Sequence, residues 1–336
     1  MPINAEEHSR EQSSHPESAA YFVDHEPQAE DFRSAVLNGL SASPKNLPPK
    51  FFYDEPGSTL FDQICGTDEY YVTRTEIDLL RDKGPEIAQL AGSQTVVVEY
   101  GCGSSLKIRA LLDNLDEPAE YLAIDISREH LDQVVEDIAG EYDQIRVGGV
   151  CADFSADLEL PDEAGLNGER KLGFFPGSTI GNMSPVEAGR FLSGVRRHVS
   201  DDGALIVGVD LKKDEQVLNA AYNDADGVTA AFNLNILHRM NRELEGHIDV
   251  EEFEHLAFYN EDQGRIEMHL KSRTEQKVQI AGHEFNFARD ETIHTENSYK
   301  FHIEDFADLA GEAGFATDAV WTDAGRLFSI HYLSAV

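Results

Sequence analysis

The chain has 336 residues, 41% of them apolar, and sets 27 Lys+Arg against 63 Asp+Glu for a formal charge of −36. That length supports one large α/β domain or two modest ones. The charge repels phosphate backbones and anionic lipid, so neither nucleic acid nor a membrane surface is an expected partner. No stretch approaches the ~20 apolar residues of a membrane helix, and the N-terminus lacks a basic start with an apolar core, so a cytoplasmic protein is expected.

The acidity is spread along the chain. One reading is a solvated surface; a more specific one is adaptation to high salt, which screens self-repulsion. Cys65, Cys102 and Cys151 lie far apart, and the 13 histidines show no HExxH-type pairing, so neither a disulfide framework nor a metal site is expected. No heptad or broad apolar patch calls for a second subunit, and a monomer is expected.

Residues 1 to 17 are polar and aperiodic and read as a disordered tail. From Tyr21 to Leu80 the pattern is helical with interruptions. The rhythm then becomes strand, loop, helix. "TVVVEY", "EYLAID", "IRVGGV", "KLGFFP" and "ALIVGVDL" are apolar runs of the kind buried on both faces. Between them lie the helical segments "LKIRALLDNL", "REHLDQVVEDIAG" and "VEAGRFLSGVRRHV". The last opens on Ser184-Pro185-Val186-Glu187, a capping box with proline at the first helical position. The alternation predicts a parallel, doubly wound sheet.

After Lys213 the rhythm breaks. "DEQVLNAAYNDADGVTAAFNLNILHRMNREL" reads as two helices, "RIEMHLKSR" as a strand with Ile266, Met268 and Leu270 on one face, and "EQKVQIAG" as its antiparallel neighbour. "EDFADLAGEAGF" and "ATDAVWTDAGRLFSIHYLSA" return to helix and strands and would complete the sheet with an antiparallel edge. The expected fold is a Rossmann-like α/β core, residues 81–213 and 301–336. A discontinuous α+β substrate-binding domain, residues 18–80 and 214–300, would accompany it.

The first strand ends on Gly101-Cys102-Gly103. Ligands of doubly wound sheets lie beyond the carboxyl ends of the strands, where glycines let the backbone approach closely. The third glycine of GxGxxG is missing, so a tight strand-to-helix turn explains this motif as well as a nucleotide does. Two features favour the nucleotide. Asp125 ends the next strand, where an acid can bind ribose hydroxyls. Asp153-Phe154 ends the third, where an acid and a ring suit an adenine. That order fits S-adenosylmethionine better than a dinucleotide. Lys107 would then reach the methionine carboxylate, unless it is a solvated helix lysine.

"LPPKFFYDEPGSTLFDQI", "EYYVTRTEIDLL", "PGSTIGNMSP", "AYNDADGVTAAFNLNIL" and "TENSYKF" together resemble the histidine Nα-methyltransferases of ergothioneine biosynthesis, from about Leu47 to the C-terminus. The resemblance implies transfer of three methyl groups from S-adenosylmethionine to the α-amine of histidine, giving hercynine. It implies that Gly101, Lys107, Asp125, Asp153 and Phe154 bind the cofactor. Tyr70, Gly177, Asn182 and Tyr222 would hold the amine and carboxylate, Met268 would line the side-chain pocket, and Glu296 and Ser298 would bond the imidazole. Tyr53 and Tyr70 would be the catalytic tyrosines beside the amine. The family's glycine motif more usually reads ELGSG. Tyr100 and Cys102 depart from it, and the Tyr100 hydroxyl then needs a partner if buried.

These roles are chemically coherent. The α-amine must lose its proton before it attacks, and carbonyls, amides and phenols hold it without a fixed countercharge. A carboxylate suits the imidazole end. An in-line displacement draws its rate mainly from positioning. Other readings are a fungal relative class acting on a prenylated tryptophan, a nicotinamide-dependent oxidoreductase, and a non-catalytic subunit. An indole would leave Glu296 poorly paired, the missing glycine and Asp153-Phe154 disfavour the nicotinamide, and the full set of expected contacts disfavours the last.

Overall fold

The computed structural model describes residues 19–25, 32–103, 105–155, 158–161 and 170–336; the tail read at residues 1 to 17 lies outside them. Five apolar runs form parallel strands: β3 (Val96–Tyr100), β4 (Glu120–Asp125), β5 (Arg146–Cys151), β6 (Lys171–Phe175) and β7 (Ala204–Asp210). Nearly every residue in them is buried, as continuous apolar sequence requires of strands covered on both faces.

With β1 (Tyr21–Asp24), β13 (Phe315–Thr322) and β14 (Phe328–Ala335) the sheet holds eight strands in the order β1-β5-β4-β3-β6-β7-β14-β13. Its far edge is the antiparallel pair β13 and β14, with β14 antiparallel to β7, as expected. Its near edge is β1, parallel to β5. The sequence reading placed Tyr21 in a helical segment. The short run is strand instead because it pairs along Gly148 and Gly149, whose missing side chains leave room for the rings of Tyr21 and Phe22.

Helices α4 (Leu106–Leu112), α5 (Arg128–Glu141) and α6 (Pro185–Val199) follow β3, β4 and β6, and α9 (Ile303–Glu312) precedes β13. The capping box at Ser184 is present: Glu187 N–H donates to Ser184 Oγ, and Glu187 Oε2 accepts from Ser184 N–H at 2.8 Å, a device worth about 1 kcal/mol.

The N-terminal segment supplies α1 (Phe32–Ser41), β2 (Lys45–Asn46), α2 (Glu55–Cys65) and the long α3 (Tyr71–Ala91). After β7 come the two expected helices, α7 (Glu215–Ala221) and α8 (Val228–Glu243), then β8 (Phe253–Asn260), β9 (Arg265–Ser272), β10 (Gln276–Ile280), β11 (His283–Phe287) and β12 (Thr292–Tyr299). A second sheet runs β2-β12-β9-β8. On β9, Ile266, Met268 and Leu270 are buried as read. The pairing expected for "EQKVQIAG" is not found: β9 lies between β8 and β12, and β10 forms a separate hairpin with β11. Ala281 and Gly282, both at positive φ (51° and 81°), close that hairpin, as a tight two-residue turn requires.

One apolar cluster runs from a face of the large sheet (Val97, Tyr121, Phe174, Ile206) into the small one (Ile266, Met268, Leu270); a second covers the other face. Among the described residues no helix is long and apolar enough to cross a membrane.

Candidate active site

The five parallel strands from β3 to β7 present their carboxyl ends to one edge, where ligands of doubly wound sheets bind. There the chain carries Gly101, Asp125, Asp153, Gly177 and Asp210 in turn.

Gly101 has φ +78°, and a Cβ there would lie 3.2 Å from the Phe154 ring. Glycine is therefore required by conformation and by space. Phe154 is half-buried and packs edge-on against Phe175 and Phe191. Asp125 Oδ1 accepts the Ser127 N–H at 2.9 Å, and burial raises its carboxyl above the usual range. Asp153 Oδ1 accepts from Ser155 N–H and Oγ. Tyr100 is buried and its hydroxyl has a partner, His198 Nδ1 at 3.0 Å, while His198 Nε2 donates to the Leu158 carbonyl at 2.7 Å. That bond ties β3 to the loop after Phe154. A floor without side chains, flanked by one acid at each of two strand ends and by a half-covered ring, fits the sugar and base of S-adenosylmethionine.

Lys107 is not a solvated lysine. Its Nζ lies 2.8 Å from Glu76 Oε2 on α3; the Glu76 side chain is buried and that of Lys107 is 13% exposed. The same carboxylate accepts the Gly177 N–H at 2.8 Å and fills the space left by Gly208, where a Cβ would lie 1.9 Å from Oε1. Glu76 thus links Lys107 to the "PGSTIGN" loop. Glu99 lies beneath, accepting from Tyr121 Oη at 2.5 Å; burial pushes its carboxyl up to about 8.

Gly177 (φ +83°) and Ser178 (φ +55°) turn the chain sharply after β6 into a 3-10 turn, Thr179–Asn182. Ser178 holds its left-handed conformation while its Oγ accepts the Asp210 N–H at 2.9 Å. The turn lies directly on β12, since a Cβ on Gly181 would meet the Tyr299 carbonyl at 2.7 Å. Among the described residues the Asn182 side chain has no hydrogen-bond partner.

Opposite this loop the small sheet presents Met268, Glu296 and Ser298. Met268 and Glu296 are direct cross-strand partners, and a bulge between His294 and Glu296 resets the alternation. Thr295 absorbs the extra residue, donating to Asn233 Oδ1 and to the Met268 carbonyl. The bulge turns Glu296 to the buried face and His294 to the other. Burial pushes the Glu296 carboxyl up to about 7, with Lys300 opposing.

Tyr53, Tyr70 and Tyr222 complete the cleft. The rings of Tyr70 and Tyr222 meet edge-on at 6.3 Å. Tyr53 is 40% exposed, and its ring packs edge-on against Phe61 and Phe232. Burial raises all three hydroxyls, helped by the neighbouring acids and phenols and opposed at Tyr222 by Lys300, so they stay neutral O–H groups.

Behind Tyr222 lies a buried polar cluster absent from the sequence reading. Tyr222 Oη donates to Ser298 Oγ at 2.8 Å. Lys300 Nζ donates to Ser298 Oγ (2.7 Å), Tyr222 Oη (3.1 Å) and Asp210 Oδ2 (2.7 Å), and is 1% exposed. Asp210 also accepts from Lys213 and from Tyr71 Oη. Burial works against the Asp210 charge, but Lys300 and Lys213 hold its carboxyl below the usual range. Burial brings Lys213 down to about 8 and opposes the charge on Lys300, whose pKa Asp210 nevertheless raises. Asp210 was legible as an acid at a strand end; Lys300 shares the alternation of Glu296 and Ser298.

One group of metal-type donors occurs among the described residues, Glu267, His269 and His294, within 4.8 Å of one another on the other face of β9 and β12. Glu267 there already accepts from Arg265, Asn260 and His269, and the two imidazoles stack at 4.5 Å.

A family model described as a SAM-dependent, histidine-specific methyltransferase matches residues 32–335. The histidine N-alpha-methyltransferase of Mycolicibacterium smegmatis is 42% identical over 318 residues, 93% of this chain and 98% of that one. The enzyme of the same name from Mycobacterium tuberculosis is 38% identical, over 89% and 93% of the two chains. Ergothioneine biosynthesis protein 1 of Neurospora crassa is 28% identical over 87% of this chain and 33% of its own longer one. The chain belongs to the S-adenosylmethionine-dependent, histidine-specific methyltransferase family.

Proposed function

We propose that the protein transfers three methyl groups in turn from S-adenosylmethionine to the α-amine of L-histidine, producing hercynine for ergothioneine biosynthesis. The observation that carries this reading is the meeting of two unlike sets of side chains in one cleft. Neutral phenols, of which Tyr70 and Tyr222 meet edge-on, stand against the strand that carries Glu296 and Ser298, and the two sets join where Tyr222 Oη bonds Ser298 Oγ.

S-adenosylmethionine, when bound, supplies an electrophilic methyl group on a sulfonium. Gly101, Asp125, Asp153 and Phe154 are the residues that would hold it, with Lys107 near its carboxylate. Asn182 and Tyr222 would anchor the substrate's α-carboxylate and amine, and the Gly177 loop would close that end. Tyr53 and Tyr70 stand beside the amine as neutral hydroxyls. Such groups accept or share a proton without pairing an ammonium permanently, so the nitrogen lone pair can be freed. Glu296 and Ser298 would fix the imidazole and so aim the amine, and that alignment would supply most of the rate. We further propose that the small sheet with α1, α2, α7 and α8 is a substrate-binding lobe on the methyltransferase core, and that the protein acts as a cytoplasmic monomer.

Incubation with histidine and S-adenosylmethionine, followed by mass spectrometry, tests the function. A gain of three methyl groups is expected. No gain on histidine, with methylation of a tryptophan derivative, would overturn the assignment of Glu296 and Ser298.

A further inference from the structure

We infer that Lys300 is a specificity-determining residue: by donating to both Ser298 and Tyr222 it fixes Ser298 as a hydrogen-bond donor to the ligand, so that the cleft selects a neutral imidazole in one tautomer. The inference rests on the reading that the substrate ring lies against Glu296 and Ser298.

The argument is a count of donors. An ammonium has three N–H bonds and no acceptor. At Lys300 all three are used, on Asp210, Ser298 and Tyr222. The two hydroxyls are also bonded to each other at 2.8 Å, and that bond takes one of their two hydrogens. A phenol is the stronger donor and an aliphatic hydroxyl the stronger acceptor, so Tyr222 donates and Ser298 accepts. Ser298 Oγ then accepts twice, from Lys300 and from Tyr222, and has no lone pair left for a ligand N–H. Its own hydrogen is the one free to point outward. Across the same face stands Glu296, an acceptor when ionised.

One donor beside one acceptor matches a neutral imidazole, which carries one bare nitrogen and one N–H. It mismatches an imidazolium, which offers two N–H groups and would also face the buried Lys300 charge. Lys300 touches no substrate atom in this scheme and acts through Ser298, so it is a positioning residue. Its removal leaves Asp210 with Lys213 and Tyr71, a balanced pair, and frees the Ser298 hydroxyl to rotate.

The test begins with methyl transfer to histidine by the wild-type protein, which judges the function itself. The inference is then tested on the ternary complex with S-adenosylhomocysteine and ring-15N-labelled histidine. One pyridine-like and one pyrrole-like nitrogen resonance in slow exchange is expected. Two pyrrole-like resonances, the imidazolium signature, or an averaged pair would overturn it. The second arm compares kcat/KM for histidine with that for the two pyrrolylalanines, in each of which one ring nitrogen is replaced by C–H. In Lys300→Met the preference for histidine over the better pyrrolylalanine should fall about tenfold or more, the worth of one oriented hydrogen bond. S-adenosylhomocysteine affinity should be unchanged. A folded variant with undiminished preference refutes the inference; a variant that does not fold leaves the wild-type resonances to decide it.

Discussion

Glu296→Gln offers the sharpest test of the cleft's electrostatics, because it should stabilise the ligand-free protein while damaging its activity. Glu296 is 9% exposed, and its carboxyl is raised from 4.5 to about 7 by burial. An acid whose folded pKa is raised adds no penalty while it is protonated in both states. The penalty grows as pH rises through the unfolded value near 4.5 and levels off above the folded value near 7. At 1.36 kcal/mol per decade, the full penalty at alkaline pH is about 3 kcal/mol. Between pH 5.5 and 8.5 the wild type should therefore lose about 2 kcal/mol relative to the glutamine variant. With the entropy of unfolding of a chain this long, that is a divergence of about 3 °C in Tm. Differential scanning calorimetry of both proteins across this range, without ligands, reads it directly; other titrating groups cancel in the difference. The variant should meanwhile lose histidine turnover, since its amide presents a donor as readily as an acceptor. A pH-independent difference in Tm, or one of opposite slope, would show that Glu296 is not held in a desolvated site.

Three further outcomes are expected. Gly101→Ala places a Cβ at positive φ and 3.2 Å from Phe154. It should weaken S-adenosylhomocysteine binding about tenfold or more in a calorimetric titration and cost about 1–2 kcal/mol of stability; unaltered affinity would remove the glycine turn from the cofactor site. Asn182→Ala should leave stability within about 0.5 kcal/mol, since the amide has no hydrogen-bond partner among the described residues, but raise KM for histidine by about tenfold or more. A stability loss with normal kinetics would make Asn182 structural. Glu76→Gln keeps an acceptor for the Gly177 N–H but uncovers the Lys107 charge, and should cost about 3 kcal/mol in urea unfolding. A loss below about 1 kcal/mol would show that the pair is effectively solvated.

The parallel core was legible because its strands are buried on both faces and leave unbroken apolar runs between amphipathic helices. The small sheet was legible only in β9, where Ile266, Met268 and Leu270 alternate cleanly. β8 and β12 carry polar residues on both faces, and the bulge at Thr295 interrupts the period, so "TIHTENSY" shows no strand rhythm. The misplaced partner of β10 has a different cause. Alternation says that a strand has a buried face but not which strand it pairs with; the adjacent Ala281-Gly282 turn held that information. Tyr70, Tyr222, Met268, Glu296 and Ser298 were reached through the family resemblance, since none bears a local signature. Glu76 and Lys300 stayed hidden because a charged residue in sequence reads as surface. Only the notch at Gly208 and the convergence on Asp210 show why these two are buried.

That convergence also relates the two carboxylates of the site. Asp210 and Glu296 are the acids near Lys300; Lys213 and Lys300 are the bases on Asp210. Asp210 is shared by two ammonium groups; Lys213 has Asp323 as a further acid, and Lys300 has Glu296. With Glu296 protonated, Lys300 keeps only its share of Asp210. A ring N–H directed at Glu296 favours its charged form and so opposes the burial that raised it. Correct placement of the ring and ionisation of Glu296 become the same event. A side chain without that N–H leaves Glu296 either buried without that partner or protonated. Discrimination by this cleft is therefore a penalty on wrong ligands as much as a reward for the right one.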